Sequence, residues 1–389
     1  MLRHLVLLLA LVLLSPFAGA QEKESADVLN RKAIDALTAK KYDEGAELLL
    51  RILAIPGREK DNGTAYNLAC AYSLKGELDK GFEWLGKAVD WGWGPGSGTL
   101  VGSTKTIPHT EMTKTDPDLE NLRKDPRFEP LMERMTKAVE LREAMKKKGE
   151  EYAATAAIYI PEKVKALAEM PVLIVLHDAG STKDAVVAGP WKAIADELGF
   201  ALIAPSGKIL VGDEPEKGMT WIEDLASYKA KYWSFEKPAT DAITAFKKEH
   251  PTDKSRIAIA GEGVGGLLAL NTAIGSPGLI KGVVALNSGP NPDLMAAKAP
   301  TAGKMGLRAR ILIEAAALSK LASDAGQKEE DGPKIVAGWT KLLQTWGITG
   351  EARTISGDAA ATKAAILEAL KAVLERDPAA EPKPEDPKK

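Results

Sequence analysis

The sequence predicts a two-part fold: a short α-helical repeat module, then an α/β domain whose mostly parallel sheet is covered by helices on both faces. Two observations carry this. Between Ala26 and Trp91 a helical pattern repeats at an offset of 36 residues. From Ala156 onward, short apolar strand signals alternate with helix-length segments, the pattern of a parallel sheet buried on both sides.

The chain opens with a segment of a different kind. Arg3 and His4 precede an unbroken apolar run, Leu5 to Leu14. Ser15 and Pro16 break it, and Ala18-Gly19-Ala20 supplies small residues for a processing enzyme. This order reads as a secretory signal peptide over residues 1–20, which predicts export to the periplasm or beyond. The run is shorter than the roughly 20 apolar residues needed to cross a bilayer. No later stretch is long and apolar enough to do so, so no membrane span is expected.

Charge narrows the partners. Lys and Arg total 52 and Asp and Glu 54, and removal of Arg3 leaves 52 − 1 = 51, a net charge near −3 with His neutral. The two signs are interspersed, which excludes a nucleic-acid surface. The single cysteine, Cys70, sits in an apolar helical pattern and reads as a small buried side chain. No metal-ligand spacing is present, and neither metal nor cofactor is expected.

The repeat aligns Tyr42-Asp43-Glu44-Gly45-Ala46 with Leu78-Asp79-Lys80-Gly81-Phe82, Ala33 with Ala69, and Ala36 with Tyr72. Small residues recur where helices cross closely and large apolar ones where they pack. Over residues 26–91 the pattern resembles the tetratricopeptide repeat. Leu68, Ala69, Tyr72, Gly81, Leu85 and Ala88 fall on that family's packing positions, while Trp93 stands where its terminal proline is usual. The resemblance implies a groove for a peptide or partner protein. Residues 92–115 read as loop. Two Asp-Pro pairs, at 116 and 125, each open a helix with Asp as cap and Pro in the first turn. A long charged helix over 129–150 completes a linker region spanning 92–150.

The second domain is expected over 152–376. Strands are predicted at 156–160, 171–176, 201–204, 256–260, 282–286, 310–313 and 352–355. Helices are predicted at 191–198, 238–249, 267–274, 334–346 and 362–375. The proline-rich, charged tail 377–389 reads as disordered.

Two strand ends carry the chemistry. Strand 171–176 runs into His177-Asp178-Ala179-Gly180. Strand 256–260 runs into Gly261-Glu262-Gly263-Val264-Gly265-Gly266, immediately before a helix. The order and these motifs resemble an α/β-hydrolase, close to secreted esterases of the polyhydroxybutyrate depolymerase and feruloyl esterase kind. In that family the first loop supplies an oxyanion-hole N–H, and the second is the nucleophile elbow G-x-S-x-G. Gly261 and Gly265 match the elbow's flanking glycines, but Gly263 stands at the serine position. Asp178 stands where a glycine is usual. A carboxylate there repels a developing oxyanion. Leu318 falls at the expected acid position, and Asp358, in Ser356-Gly357-Asp358, falls at the expected histidine. No histidine follows His250. The resemblance therefore implies a scaffold without a triad, since nucleophile, base and orienter act as one unit.

Other readings stay open. Gly261, Gly263 and Gly266 also spell G-x-G-x-x-G, a dinucleotide fingerprint that would make the protein an oxidoreductase. Against it, the next strand ends at Asn287, with no carboxylate for a ribose. A relocated nucleophile is a third reading: Ser181, Ser206 and Ser288 lie near strand ends, with His177 as the available base. The tryptophans Trp84, Trp91, Trp93, Trp191, Trp221 and Trp233 raise a carbohydrate reading, with Trp91 and Trp93 the ones expected at the surface. The leading expectation is an exported binding or scaffolding protein. Its helical repeats would hold a peptide or protein partner, and its vestigial pocket a small ligand or polymer end.

Overall fold

The computed structural model describes residues 24–99, 104–223, 225–324 and 328–375. The stretches read from sequence as a signal peptide, 1–20, and a disordered tail, 377–389, lie outside the described residues. The chain forms two compact units, one up to Glu143 and one from Ala144. The division falls within the long helix Phe128–Ala153, which the sequence predicts over 129–150.

The first unit is helical. Helices α1 (Ala26–Thr38) and α2 (Tyr42–Leu53) form one hairpin, and α3 (Asn62–Lys75) and α4 (Leu78–Asp90) a second. The starts follow local chemistry: Ser25 caps α1 through Val28 N, and Asp61 caps α3 through Thr64 N. The repeat's small residues are where helices touch. Ala33 and Ala69 are fully buried, as are Leu49 and Leu85. A methyl at Gly45 would meet Leu37 at 2.6 Å, and one at Gly81 would meet Leu122 at 2.9 Å.

Residues 92–115 depart from the expected loop. They hold a small antiparallel ladder, β1 (Ser97–Thr99) with β2 (Thr106–Pro108), and a helix, α5 (His109–Thr115). The reason is aromatic packing. Trp93 is 6% exposed and stacks between Tyr66 and His109, with ring centroids 4.0 and 3.6 Å away. Its indole N–H donates to Thr113 Oγ1 at 3.1 Å. Trp93 is therefore a core residue, which corrects the expectation of a surface one. The first Asp-Pro behaves as expected: Asp116 Oδ1 accepts from Asp118 N at 2.9 Å. Helices α6 (Glu120–Arg123) and α7 (Phe128–Ala153) follow.

The second unit contains the sheet. Its strands are β3 (Ala157–Tyr159), β4 (Met170–Leu176), β5 (Ala201–Ala204), β8 (Thr252–Glu262), β9 (Gly282–Leu286), β10 (Arg308–Glu314) and β11 (Thr349–Ile355), with a separate two-residue ladder of β6 (Ile209–Leu210) and β7 (Met219–Thr220) between β5 and β8. The sheet order is β11-β10-β9-β8-β4-β5-β3, parallel except for β3 against β5. Strand side chains alternate between two cores. Val172, Ile174, Ile257, Ile259 and Val283 enter one, and Leu173, Val175, Ala258, Ala260 and Val284 the other. Helices cover both faces, as the sequence predicts.

The order places the site. From β4 the chain goes first to β5 on one side, then to β8 on the other. A crevice opens outside the carboxyl ends of strands where the winding direction switches. Here those ends are Leu176 of β4 and Glu262 of β8.

Candidate functional site: the end of β4 against the turn after β8

Strand β8 passes through Gly263 into the helix Val264–Gly275. Gly263 has φ +52° and ψ −119°, a conformation that side-chain-bearing residues adopt only under strain. The flanking glycines are there for space. A methyl at Gly261 would lie 2.3 Å from the carbonyl oxygen of Gly265, and one at Gly265 2.2 Å from that of Leu176. The strand–turn–helix of a nucleophile elbow is thus intact in its backbone, with glycine at its apex.

The first N–H of the helix after this turn is already used. Asp178 Oδ1 accepts from Val264 N at 2.9 Å and from its neighbour Ala179 N at 2.7 Å. These are the amide after the elbow apex and one from the loop after β4, the two sources of an oxyanion hole. The carboxylate also fills the space over the apex: a Cβ at 263 would lie 2.1 Å from Asp178 Oδ1.

His177 lines the crevice but is buried beneath its surface. It is 2% exposed and stacks on Trp221 with centroids 4.7 Å apart. Its Nε2 accepts from Gly207 N at 3.1 Å, which fixes the proton on Nδ1, 2.8 Å from the Asp178 carbonyl oxygen. Burial pushes the ring below its ordinary pKa, which keeps it neutral. A ring whose free lone pair receives a backbone N–H has none left for a serine.

The candidate serines are placed accordingly. Ser206 Oγ lies 3.4 Å from His177 Nε2, but it is 3% exposed and donates to Gly207 O at 2.8 Å. Ser181 lines the crevice, with its N–H on the Asp178 carbonyl at 3.1 Å. Ser288 packs beside Gly266.

The remaining expected positions resolve differently. Leu318 begins a helix, Leu318–Asp324, and packs on the apolar core instead of lining the crevice. The side chain that reaches the crevice from this strand is Glu314, the last residue of β10. Directly after Glu314 the chain turns into a one-turn helix, Ala315–Ala317, which precedes Leu318. Asp358 caps the helix Ala359–Leu374, accepting from Ala361 N at 2.8 Å. It is a helix start in the place expected for a base.

Glu314 belongs to a polar chain that sequence reasoning missed. Asn287 Nδ2 donates to Glu314 Oε2 at 2.9 Å, and its Oδ1 accepts from Glu314 N at 2.9 Å. The same Nδ2 lies 3.5 Å from Glu262 Oε1, and Thr362 Oγ1 donates to Glu314 Oε1 at 2.9 Å. Asn287 takes φ +53°, a left-handed conformation that asparagine tolerates best among side-chain-bearing residues. Burial, then the charges of Asp178 and Glu314, raises the Glu262 carboxyl above its usual range. The signal for Glu314 was its place at the carboxyl end of a buried strand.

The crevice has a volume of about 380 Å³. Val186, Trp191, Ile194 and Ile366 form an apolar wall; Asp178, Glu262 and Glu314 provide the polar groups. Trp191, expected as core, is both buried and part of this wall. The same geometry opposes the dinucleotide reading. The helix N-terminus that would take a pyrophosphate already holds the Asp178 carboxylate, and Glu262 and Glu314 stand beside it.

Among the described residues, the single group of three metal-type side chains with ligand atoms within 4.8 Å of one another is Cys70, Asp116 and Asp118, in the helical unit. Cys70 is buried, and burial, then Asp116, holds its thiol well above its ordinary pKa. Asp116 is engaged by the Tyr66 hydroxyl at 2.8 Å and by its own helix start. This is the satisfied core cysteine expected from the sequence.

Strand order, double helical cover and elbow define the second unit as an α/β-hydrolase-like domain, following an N-terminal helical module. No protein-family model matches the chain, and no curated protein matches it. Among solved structures, it is similar to an uncharacterized protein from Bacillus cereus ATCC 10987, at 15% identity and a TM-score of 0.38, over 89% of this chain and 97% of that one. It is also similar to esterase PE8, at 14% identity and a TM-score of 0.44, over 56% of this chain and 98% of that one. The Bacillus cereus carboxylesterase matches at 16% identity and a TM-score of 0.41, over 59% of this chain and 99% of that one.

Proposed function

We propose that this is an exported binding protein whose hydrolase-like domain recognises a ligand without cleaving it. One observation carries the reading: Asp178 Oδ1 takes the N–H groups of both Ala179 and Val264 and overlaps the position of any side chain at 263. A developing oxyanion has no donors left to stabilise it there, and a fixed negative charge opposes it. Gly263 provides no nucleophile, and His177 spends its lone pair on Gly207. The helical module serves as the second binding surface, for a peptide or protein partner.

The test is ester turnover by the full chain. Short acyl p-nitrophenyl esters should be hydrolysed no faster than in a blank with heat-denatured protein. A second reading, an ester hydrolase with a relocated nucleophile, draws on the Ser206–His177 approach of 3.4 Å. Turnover that is lost in Ser206→Ala would establish that reading and end the first. Export has its own check: protein from the native host should begin at Gln21, and an intact Met1 in a cytosolic fraction would refute it.

A further inference from the structure

We infer that the crevice at the end of β4 takes an organic cation with an apolar body, such as an alkyl- or arylammonium group. The inference rests on the binding reading above and names the class of ligand. Its first ground is charge. Asp178, Glu262 and Glu314 all line the crevice. Their polar partners are neutral: the Ala179 and Val264 amides for Asp178, Asn287 for Glu262, and Asn287 with Thr362 for Glu314.

Among the described residues no lysine or arginine pairs with any of the three. Lys363, which also lines the crevice, has its ammonium 3.6 Å from Glu197 instead. Half-buried carboxylates with no counter-ion are costly, and a cationic ligand removes that cost. Burial first, then the charges of Asp178 and Glu314, raises the Glu262 carboxyl, so the crevice resists a third negative charge.

The second ground is the apolar part of the lining. Val186, Trp191, Ile194 and Ile366 offer an apolar surface, and the volume of about 380 Å³ falls in the range of small-molecule sites. An inorganic cation would leave that wall unused. The three carboxylates are also not among the side chains whose ligand atoms gather within 4.8 Å, so they do not close on one metal ion. An ammonium head among the carboxylates with a chain or ring against Trp191 uses both halves.

The experiment is calorimetric titration of the full chain with 2-phenylethylammonium and, separately, with 3-phenylpropanoate, a carboxylate of matching shape. The ammonium should bind, and the carboxylate should bind at least tenfold more weakly. Glu262→Gln and Glu314→Gln together should weaken the ammonium at least tenfold while thermal melting shows the variant folded. Millimolar calcium should not displace it. Equal or better binding of the carboxylate, no binding of either probe, displacement by calcium, or an affinity unmoved in the folded double variant would each overturn the inference. If the variant fails to fold, the comparison of the two probes on the unaltered chain still decides. Ester turnover, measured in parallel, reports on the non-hydrolytic reading alone, so failure of one is distinguishable from failure of the other.

Discussion

Asp178 Oδ1 lies 2.9 Å from the amide nitrogen of Val264, the first residue of the helix behind the elbow. An acidic side chain of the protein thus sits where this fold elsewhere receives the charge of a substrate. The same carboxylate lies where a Cβ at 263 would go, at 2.1 Å. Positions 178 and 263 are therefore sterically coupled, and the glycine at the apex and the aspartate in the loop are explained by each other.

The first prediction follows from that overlap. Gly263→Ala should cost about 2 kcal/mol or more, from overpacking and a strained φ. In an Asp178→Gly background the overpacking disappears and the cost should fall by about 1 kcal/mol or more, the size of coupling that residues in contact show. Denaturant melts of the two single variants and the double one measure it. Equal costs in both backgrounds would mean that the two positions do not meet.

Removing the carboxylate should leave a hole that accepts anions. Asp178→Gly exposes the Val264 N–H and a neighbouring amide, a loss of about 1–3 kcal/mol for unsatisfied donors. Added formate should recover part of this in the variant and do nothing in the unaltered protein. Melting temperature against formate concentration, with chloride as the control for ionic strength, would show it. Identical salt responses of both proteins would contradict it.

The inner strands of the large sheet were legible because apolar runs such as Pro171–Leu176 are buried on both faces, and β4 spans Met170–Leu176, while the edge strands β3 and β11 were legible from their place in the alternation of strands and helices. Gly261, Gly263 and Gly265 marked the turn, since glycine spacing reports backbone approach directly. What sequence could not show was which polar groups meet across the sheet. Asp178 and Val264 are 86 residues apart. Nothing local tells that one caps the other, so Asp178 read only as an unfavourable charge. Asn287 and Glu314 were missed for the same reason. In the helical unit, Trp93 beside a glycine-rich stretch looked exposed because its partner His109 arrives 16 residues later, as 109 − 93 gives.

Acid should destabilise the second unit through His177. Burial holds its folded pKa below the ordinary value of 6.5, so below that pH the unfolded chain binds a proton that the fold resists. Stability is complete above about 6.5 and falls as pH drops through the region below it. Glu262 acts oppositely: its folded pKa is raised above 4.5, so its contribution is present below 4.5 and is lost as pH rises through the folded value. His109, also lowered by burial, adds to the His177 trend from the other unit. Melting temperatures from pH 7.5 to 5.5 should decline, and less steeply in His177→Gln. An unchanged slope in that variant would remove His177 from the account.

Lys183 should prove structural despite its charge. It is 7% exposed, and its ammonium donates to the carbonyls of Tyr152 and Thr155 at 2.6 and 2.7 Å. A cation there closes the end of α7. Lys183→Met keeps the stem and removes the donors, and should cost about 1–3 kcal/mol. A denaturation midpoint within error of the parent would show that water replaces the ammonium without loss.

The claim that organises all of this is that the elbow survives as a backbone without a reactive centre. It is met most directly by exposing the full chain to an alkyl fluorophosphonate and measuring its intact mass. The account predicts an unchanged mass. A stoichiometric adduct that maps to Ser181, Ser206 or Ser288 would contradict it.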